Sequence, residues 1–284
     1  MGTEMRGAYG FRLVLPTHEP ELPDLSPLDG DALDVALECR YASVWSERNR
    51  IEPGWISLGE PRGSLLEVRR EPASITVEFP DATTPEALVH PLLALPLSIL
   101  ARWRGDLTLH AGGFFAAGRA WGVIGVREAG KSTMLAKLAQ NGCPLLADDL
   151  LVLDGGVVRA GPACIDLRPD VAERFQGARF LGQVGDRPRY RLATPHGPGR
   201  AELAGLFLLD WSEDAEIGIE PVPASEALQI IHKQEYIGLL GPTDPKKVMK
   251  LLGTPVWRVR RPRDWGRTEE AVAAVLDVTA RNGA

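Results

Sequence analysis

With 284 residues, of which 44% are hydrophobic and 25% charged, the chain has the composition of a globular protein and can form one large domain or two small ones. Its formal charge of -6 argues against a dedicated nucleic-acid or anionic-membrane binder, because both need a basic surface that releases counterions or meets lipid head groups. Cys39, Cys143 and Cys164 are odd in number and widely separated, with no CxxC pair, so neither a disulfide framework nor a zinc site is expected and a reducing cytoplasm fits.

The opening stretch "MGTEMRGAYGFRLVLP" has no long apolar core behind its charges and no small-residue cleavage pattern, so no secretion signal is expected. The runs "GFRLVL", "LLEVRR" and "SITVEF" are apolar or alternating and are punctuated by Pro, Gly and Asp, which predicts a β-rich region over residues 1–105. Turn signals fall in Leu22 to Asp31 and at Pro53-Gly54, and nothing in this region carries a chemical motif. Ala87 to Trp103 is the longest apolar run. It contains His90, is interrupted by Pro91 and Pro96, and is short for a membrane span, so it reads as a buried helix joining two halves.

From Asp106 the pattern predicts a second unit over residues 106–284. "LTLHAGGFFAAGRAWGVIG" gives two apolar strands around a Gly-containing turn, and "KSTMLAKLAQNG" a helix stopped by Gly142. "CPLLA" and "LLVL" are short buried strands on either side of an Asp pair. "LAGLFLLD" is a later core strand, and "VWRVRR" is a strand between helices at Ser225 to Leu240 and Glu269 to Asn282. "WRVRRPRDWGR" mixes basic and aromatic residues, but its alternation suits a strand with a solvated basic face rather than a nucleic-acid surface, and "HKQEY" (His232 to Tyr236) reads as the polar face of a helix.

Gly125, Gly130, Lys131 and Ser132 satisfy the Walker A spacing GxxxxGK[ST]. A loop between a strand end and a helix start can turn its backbone N–H groups around a phosphate, and the glycines permit the backbone angles this needs. Gly125, Val126, Arg127, Glu128, Ala129, Gly130, Lys131, Ser132 and Thr133 are therefore the expected ATP-binding residues, with Lys131 reaching the β- and γ-phosphates and the Ser132 hydroxyl ligating Mg²⁺. A chance match in such a chain is expected roughly one time in a hundred, and the strand before and helix after lower that further.

Asp148 and Asp149 end the very next apolar strand. Two vicinal carboxylates at a strand end point in different directions, so one can face Mg²⁺ while the other faces an incoming hydroxyl. This close spacing favours a compact kinase-like site over motor-type P-loop proteins, whose metal-associated Asp lies much further along. His110 stands on the strand before the cradle strand, where a satisfied core histidine is the ordinary alternative.

Taken together, "LHAGG", "GVREAGKS" and "LLADD" resemble the HPr kinase/phosphorylase family and its relatives in order and spacing, with fifteen residues from His110 to Gly125 and twenty-three from Gly125 to Asp148. "GPGRAELAGLFLLD" resembles that family's Pro-Gly-Arg segment and points to Arg200, for which a solvated charge in the Pro/Gly-rich loop "ATPHGPGRAEL" is the equal alternative. The resemblance covers roughly Asp106 to Asp210 and is strongest in its first half. It implies an α/β fold, a carboxykinase-like P-loop kinase core with a mixed β-sheet, beside the β-rich N-terminal region. It also implies an ATP- and Mg²⁺-dependent serine kinase in which Asp148 is the general base, Asp149 and Ser132 hold magnesium, His110 lies near the phosphates and Arg200 contacts the transferred group. Family members often form homo-oligomers.

The acidic-Arg-Gly signature that follows the Asp pair in the bifunctional enzymes is replaced here by "VVRAGPACIDLRPD", which does not support reverse phosphorylase activity, and the N-terminal half does not resemble the usual regulatory domain. "GPACIDLRPDV" and "PVWRVRRPRDW" look more like the smaller relatives associated with ribosomally made peptides, among them kinases of lasso-peptide precursors. The expected partner is thus a peptide or small protein, with no nucleic acid and no membrane. A small-molecule hydroxyl kinase and a non-catalytic nucleotide-binding regulator remain as alternatives.

Overall fold

In the computed structural model the described residues are 5–16, 21–41, 49–59, 65–79, 84–184, 187–213, 216–236, 240–241, 243–251 and 253–283. The N-terminal region is a six-stranded sheet of β1 (Phe11–Val14), β2 (Leu33–Tyr41), β3 (Arg50–Glu52), β4 (Trp55–Gly59), β5 (Leu65–Arg69) and β6 (Ser74–Phe79). Its order is β1-β2-β6-β5-β4-β3, parallel across the first two pairings and antiparallel across the rest. Burial alternates along β1 and β6, as a sheet with one face on a core requires. The three strands expected here form where the alternation places them.

The apolar run after this sheet is not one helix. His90 is extended (φ -152°, ψ 128°), because the residue before a proline is pushed out of the helical region, and Pro91 interrupts the run. The continuous helix α1 covers Ala94–Arg104, with Pro96 in its first turn where a missing N–H costs little, and it ends at left-handed Gly105.

The central sheet gathers β7 (Leu107–Leu109), β8 (Gly112–Ala116), β9 (Arg119–Ile124), β10 (Leu145–Ala147), β11 (Leu151–Asp154), β12 (Val157–Arg159), β16 (Arg200–Trp211), β17 (Gly218–Pro221) and β18 (Val256–Arg261). Between β12 and β16 the chain makes a separate three-stranded sheet of β13 (Cys164–Leu167), β14 (Arg179–Val184) and β15 (Arg187–Ala193), in the order β13-β15-β14. The central order is β10-β8-β9-β16-β12-β11-β7, with β18 added to β16 and β17 to β18. The β9/β16 and β16/β18 pairings are parallel and the others antiparallel, so the sheet is mixed.

Helices α2 (Lys131–Gln140) and α4 (Thr268–Asn282) bury Met134, Leu135, Leu138, Val272 and Val275 in one apolar cluster with Phe114, Trp121 and Phe207 of the sheet. A second cluster joins Leu97 and Leu100 of α1 to Leu109, Leu151 and Leu206, and also to Val35, Ile56, Val68 and Ile75 of the N-terminal sheet. Each such side chain gains roughly 1.5–3 kcal/mol on burial, and this core runs without a break across residue 105. The sequence-expected helix from Ser225 is α3 (Ala224–Lys233), and residues 237–239 of that stretch lie outside the described residues. Among the described residues no helix is long and apolar enough to cross a membrane.

Candidate active site

Strand β9 delivers Ile124 to the cradle at the C-terminal edge of a parallel pair, and α2 begins at Lys131. Gly125 has φ +154°, and a Cβ there would lie 3.0 Å from the Ala129 side chain and 3.1 Å from the Leu209 carbonyl. Gly130 has φ +82°, and its Cβ would lie 2.8 Å from an Arg261 nitrogen. Both positions require glycine, one for close packing and the other for a left-handed turn. Glu128 between them is left-handed without being glycine (φ 67°), a conformation that costs of order 1 kcal/mol and is held by the loop. Lys131 Nζ donates to the Gly125 carbonyl at 2.8 Å.

Arg127, Glu128, Gly130, Lys131, Ser132 and Thr133 line a cavity of about 810 Å³, while Gly125, Val126 and Ala129 form the remaining turn of the loop. Val126 is 69% exposed at the tip. An ammonium and two hydroxyls, from Lys131, Ser132 and Thr133, stand in the lining at the start of a ten-residue helix.

The two aspartates diverge as vicinal side chains at a strand end should. Asp148 is buried, and the Ser132 hydroxyl donates to its Oδ1 at 3.1 Å. Its pKa is raised to about 7, first by burial and then by the charges of Asp149 and Asp166, against the opposing Ser132 hydrogen bond and Lys131 charge. Asp149, with left-handed φ of 67°, turns into the cavity and stands 3.3 Å from His110 Nδ1, both side chains being about two-fifths exposed. Burial lowers the His110 pKa, with the Asp149 charge opposing and that of Lys131 adding to it. Burial likewise lowers the Lys131 pKa, and both aspartates counter it.

His110 is fixed by its backbone N–H, which donates to the Gln234 carbonyl at 2.6 Å, and its ring lies 6.3 Å from that of Tyr236. The segment expected as the polar face of a helix is thus corrected. The helix stops at Lys233, and residues 234–236 run beside β7, with the Tyr236 N–H donating to the Thr108 carbonyl. Burial pushes the Tyr236 phenol up to about 12.

Arg200 is also corrected. Its Pro/Gly-rich surroundings read as a mobile loop with a solvated charge, and the resemblance put it on the transferred group, but Arg200 is the first residue of β16, paired with Arg159 of β12. Its guanidinium is turned toward Asp29 and Asp31 of the N-terminal region, at 3.8 and 3.4 Å, and it does not line the cavity.

The sequence reading missed the arginines that do line it. Arg261 closes β18 and is 9% exposed. It donates from Nη2 to the Ala129 carbonyl, its guanidinium carbon lies 3.8 Å from the centre of the Trp211 indole, and its Nε is buried without a partner. Burial without a carboxylate lowers its pKa to about 10. Trp211 Nε1 donates to the Glu128 carbonyl at 3.1 Å, so two adjacent carbonyls of the cradle are held by residues of the cavity wall. The basic strand is otherwise the solvated face expected: Arg258 pairs with Asp210 and Glu226, and Arg260 with Glu220. Only its period-breaking last arginine turns inward.

No family model and no curated protein matches this chain. Among solved structures it is similar to the Hpr(Ser) kinase/phosphatase from Coxiella burnetii, at 12% identity over 61% of this chain and 97% of that one, with a TM-score of 0.31.

Proposed function

We propose that this protein is an ATP- and Mg²⁺-dependent phosphotransferase that places the γ-phosphate of ATP on a hydroxyl, with a serine of a ribosomally made, lasso-type precursor peptide as the acceptor. The observation that supports it most is the meeting of the Gly125–Thr133 cradle with a buried carboxylate: Asp148 is reached from Ser132 across 3.1 Å and has a pKa raised to about 7. A base with a pKa near the working pH is best matched to take a proton from a hydroxyl as the oxygen–phosphorus bond forms.

The fit to the cofactor follows from the donor set. The Lys131 ammonium, the Arg127 guanidinium and the Ser132 and Thr133 hydroxyls of the loop line the cavity and suit phosphate oxygens, while the Glu128 carboxylate in the same lining is paired with Arg168. Mg²⁺ is usually held by one or two carboxylates together with substrate phosphates and water. Ser132 and Asp149 would hold it, and when bound it neutralises charge on the phosphates. Asp148 accepts the acceptor's proton, the new oxygen–phosphorus bond forms as the β–γ bridge breaks, and ADP leaves. His110 stands against Asp149 at 3.3 Å. Trp211, Trp265 and the arginines stacked on them give the cavity a flat aromatic wall beyond the cradle.

The peptide acceptor rests on the likeness of "GPACIDLRPDV" and "PVWRVRRPRDW" to kinases of such peptides. Incubation with Mg-ATP and serine peptides, free serine or a sugar alcohol, read as an added phosphate mass, tests both levels. Phosphate on the peptides supports the full reading, phosphate on a small acceptor alone removes the peptide, and phosphate on none removes the kinase.

A further inference from the structure

Strand β15 carries Arg187, Arg189 and Arg191 at alternate positions, so all three project from one face of the three-stranded sheet. That face opens onto the same cavity as Asp149, because Asp166 of β13, in register with Arg191, lines it together with Arg187 and Arg189. The three arginines are compensated unequally. Arg191 is fully buried and pairs with Asp166 at 2.6 Å and Asp24 at 3.2 Å, while it also donates to the carbonyls of Glu86 and His90. Arg189 shares the same Asp166 at 3.6 Å. Arg187, half-buried at the cavity wall, forms no ion pair among the described residues.

Across the whole cavity eight basic side chains face five carboxylates. Several of the others have partners within the protein: Lys131 donates to the Gly125 carbonyl, Arg168 pairs with Glu128 at 3.0 Å, and Arg261 and Arg263 lie on Trp211. A half-buried guanidinium without a counter-charge is costly to keep unless a ligand supplies one. Its planar fork suits a carboxylate or phosphate held by two parallel bonds.

We infer that the acceptor itself is an anion: the hydroxyl to be phosphorylated belongs to a molecule with a carboxylate or phosphate close by, which Arg187 binds and Arg189 supports. This rests on the phosphotransferase reading and narrows its substrate class. The anion comes either from an acidic side chain, a chain-terminal carboxylate, or a phosphate already present.

The test uses the full-length protein and degenerate hexapeptides with one fixed serine. One set ends at that serine as a free acid and another as the amide. A third places Asp beside an internal serine, a fourth Asn, and a fifth phosphoserine. Transfer from Mg-ATP is read as acceptor kcat/KM, and retention of the same peptides by the Mg-ADP-loaded protein gives a reading independent of turnover. The expected result is about a ten- to a hundredfold preference for the best anionic set over its neutral counterpart, in transfer and in retention. Arg187→Gln should abolish this preference and Arg187→Lys keep part of it, with the KM for ATP unchanged in both. Equal use and equal retention of charged and neutral sets, or an Arg187→Gln effect confined to ATP, would overturn the inference. Retention of anionic peptides without transfer would uphold it and count against the kinase reading alone.

Discussion

The Ser132 hydroxyl lies 3.1 Å from Asp148 Oδ1, linking the first turn of the cradle helix to the end of the neighbouring strand β10. Sixteen residues of chain separate the two, and only the return of the chain through α2 and β10 brings them together. The contact places a potential base and a potential metal ligand within one hydrogen bond. Asp149 is left to face the cavity with His110.

Replacing Asp148 by Asn keeps the shape and the ability to accept from Ser132 but removes the base. Nucleotide affinity should hold within a few-fold, and turnover should fall by about 10²- to 10⁴-fold. Steady-state kinetics beside a nucleotide titration check this. An Asp148→Asn protein with undiminished turnover would shift the base role to Asp149.

The same substitution has a consequence for stability. The folded-state pKa of Asp148 is raised from 3.8 to about 7, so the carboxyl contributes favourably below its unfolded pKa and loses that contribution as pH rises through the folded one. Three units correspond to on the order of 4 kcal/mol. Asp148→Asn should therefore unfold at higher urea than wild type at pH 8, and the gap should shrink toward pH 4.5. A gap independent of pH would mean that Asp148 is not held near neutrality.

Arg261 and Trp211 together donate to the Ala129 and Glu128 carbonyls and so fix two consecutive peptide units of the cradle. Arg261→Met should raise the KM for ATP by about tenfold with a smaller effect on kcat, since a distorted cradle weakens ground-state binding and transition state alike. Arg261→Lys should recover little, because a point charge cannot both stack on the indole and reach the carbonyl.

Arg200→Ala provides the contrast. Its half-exposed pairs with Asp29 and Asp31 contribute about 0–1 kcal/mol, and it is absent from the cavity wall. Turnover and the KM for ATP should stay within about twofold of wild type. A thousandfold loss of turnover, the scale expected for an arginine on the transferred phosphoryl, would restore the role first expected of it.

What could be read from the sequence and what could not divide along contact range. Gly125 to Thr133 and its flanking strand and helix are legible because the N–H cradle is a local device, with its glycines, lysine and hydroxyl in fixed succession. Asp148 and Asp149 are legible because a short apolar strand points to them. Arg261 and Trp211 are invisible in the same way, since they reach the cradle only through the parallel pairing of β16 with β18, with Trp211 and Arg261 in register. Arg187, Arg189 and Arg191 do leave a faint trace in "RPRYR", an alternation of charge, but nothing local says that the far strand faces a cavity. At Arg200 proline and glycine suggested a loop, and pairing with β12 overrides that propensity, as tertiary context does.

The most direct test of the phosphotransferase assignment is calorimetric titration of the wild-type protein and Lys131→Ala with magnesium and a non-hydrolysable ATP analogue. Saturable binding by the wild type at one site per chain, weakened at least about a hundredfold by removing the lysine ammonium, is the predicted result. No binding by the wild type, or equal binding by both proteins, would contradict a nucleotide seated in the cradle, and the assignment of Asp148 as the base would fall with it.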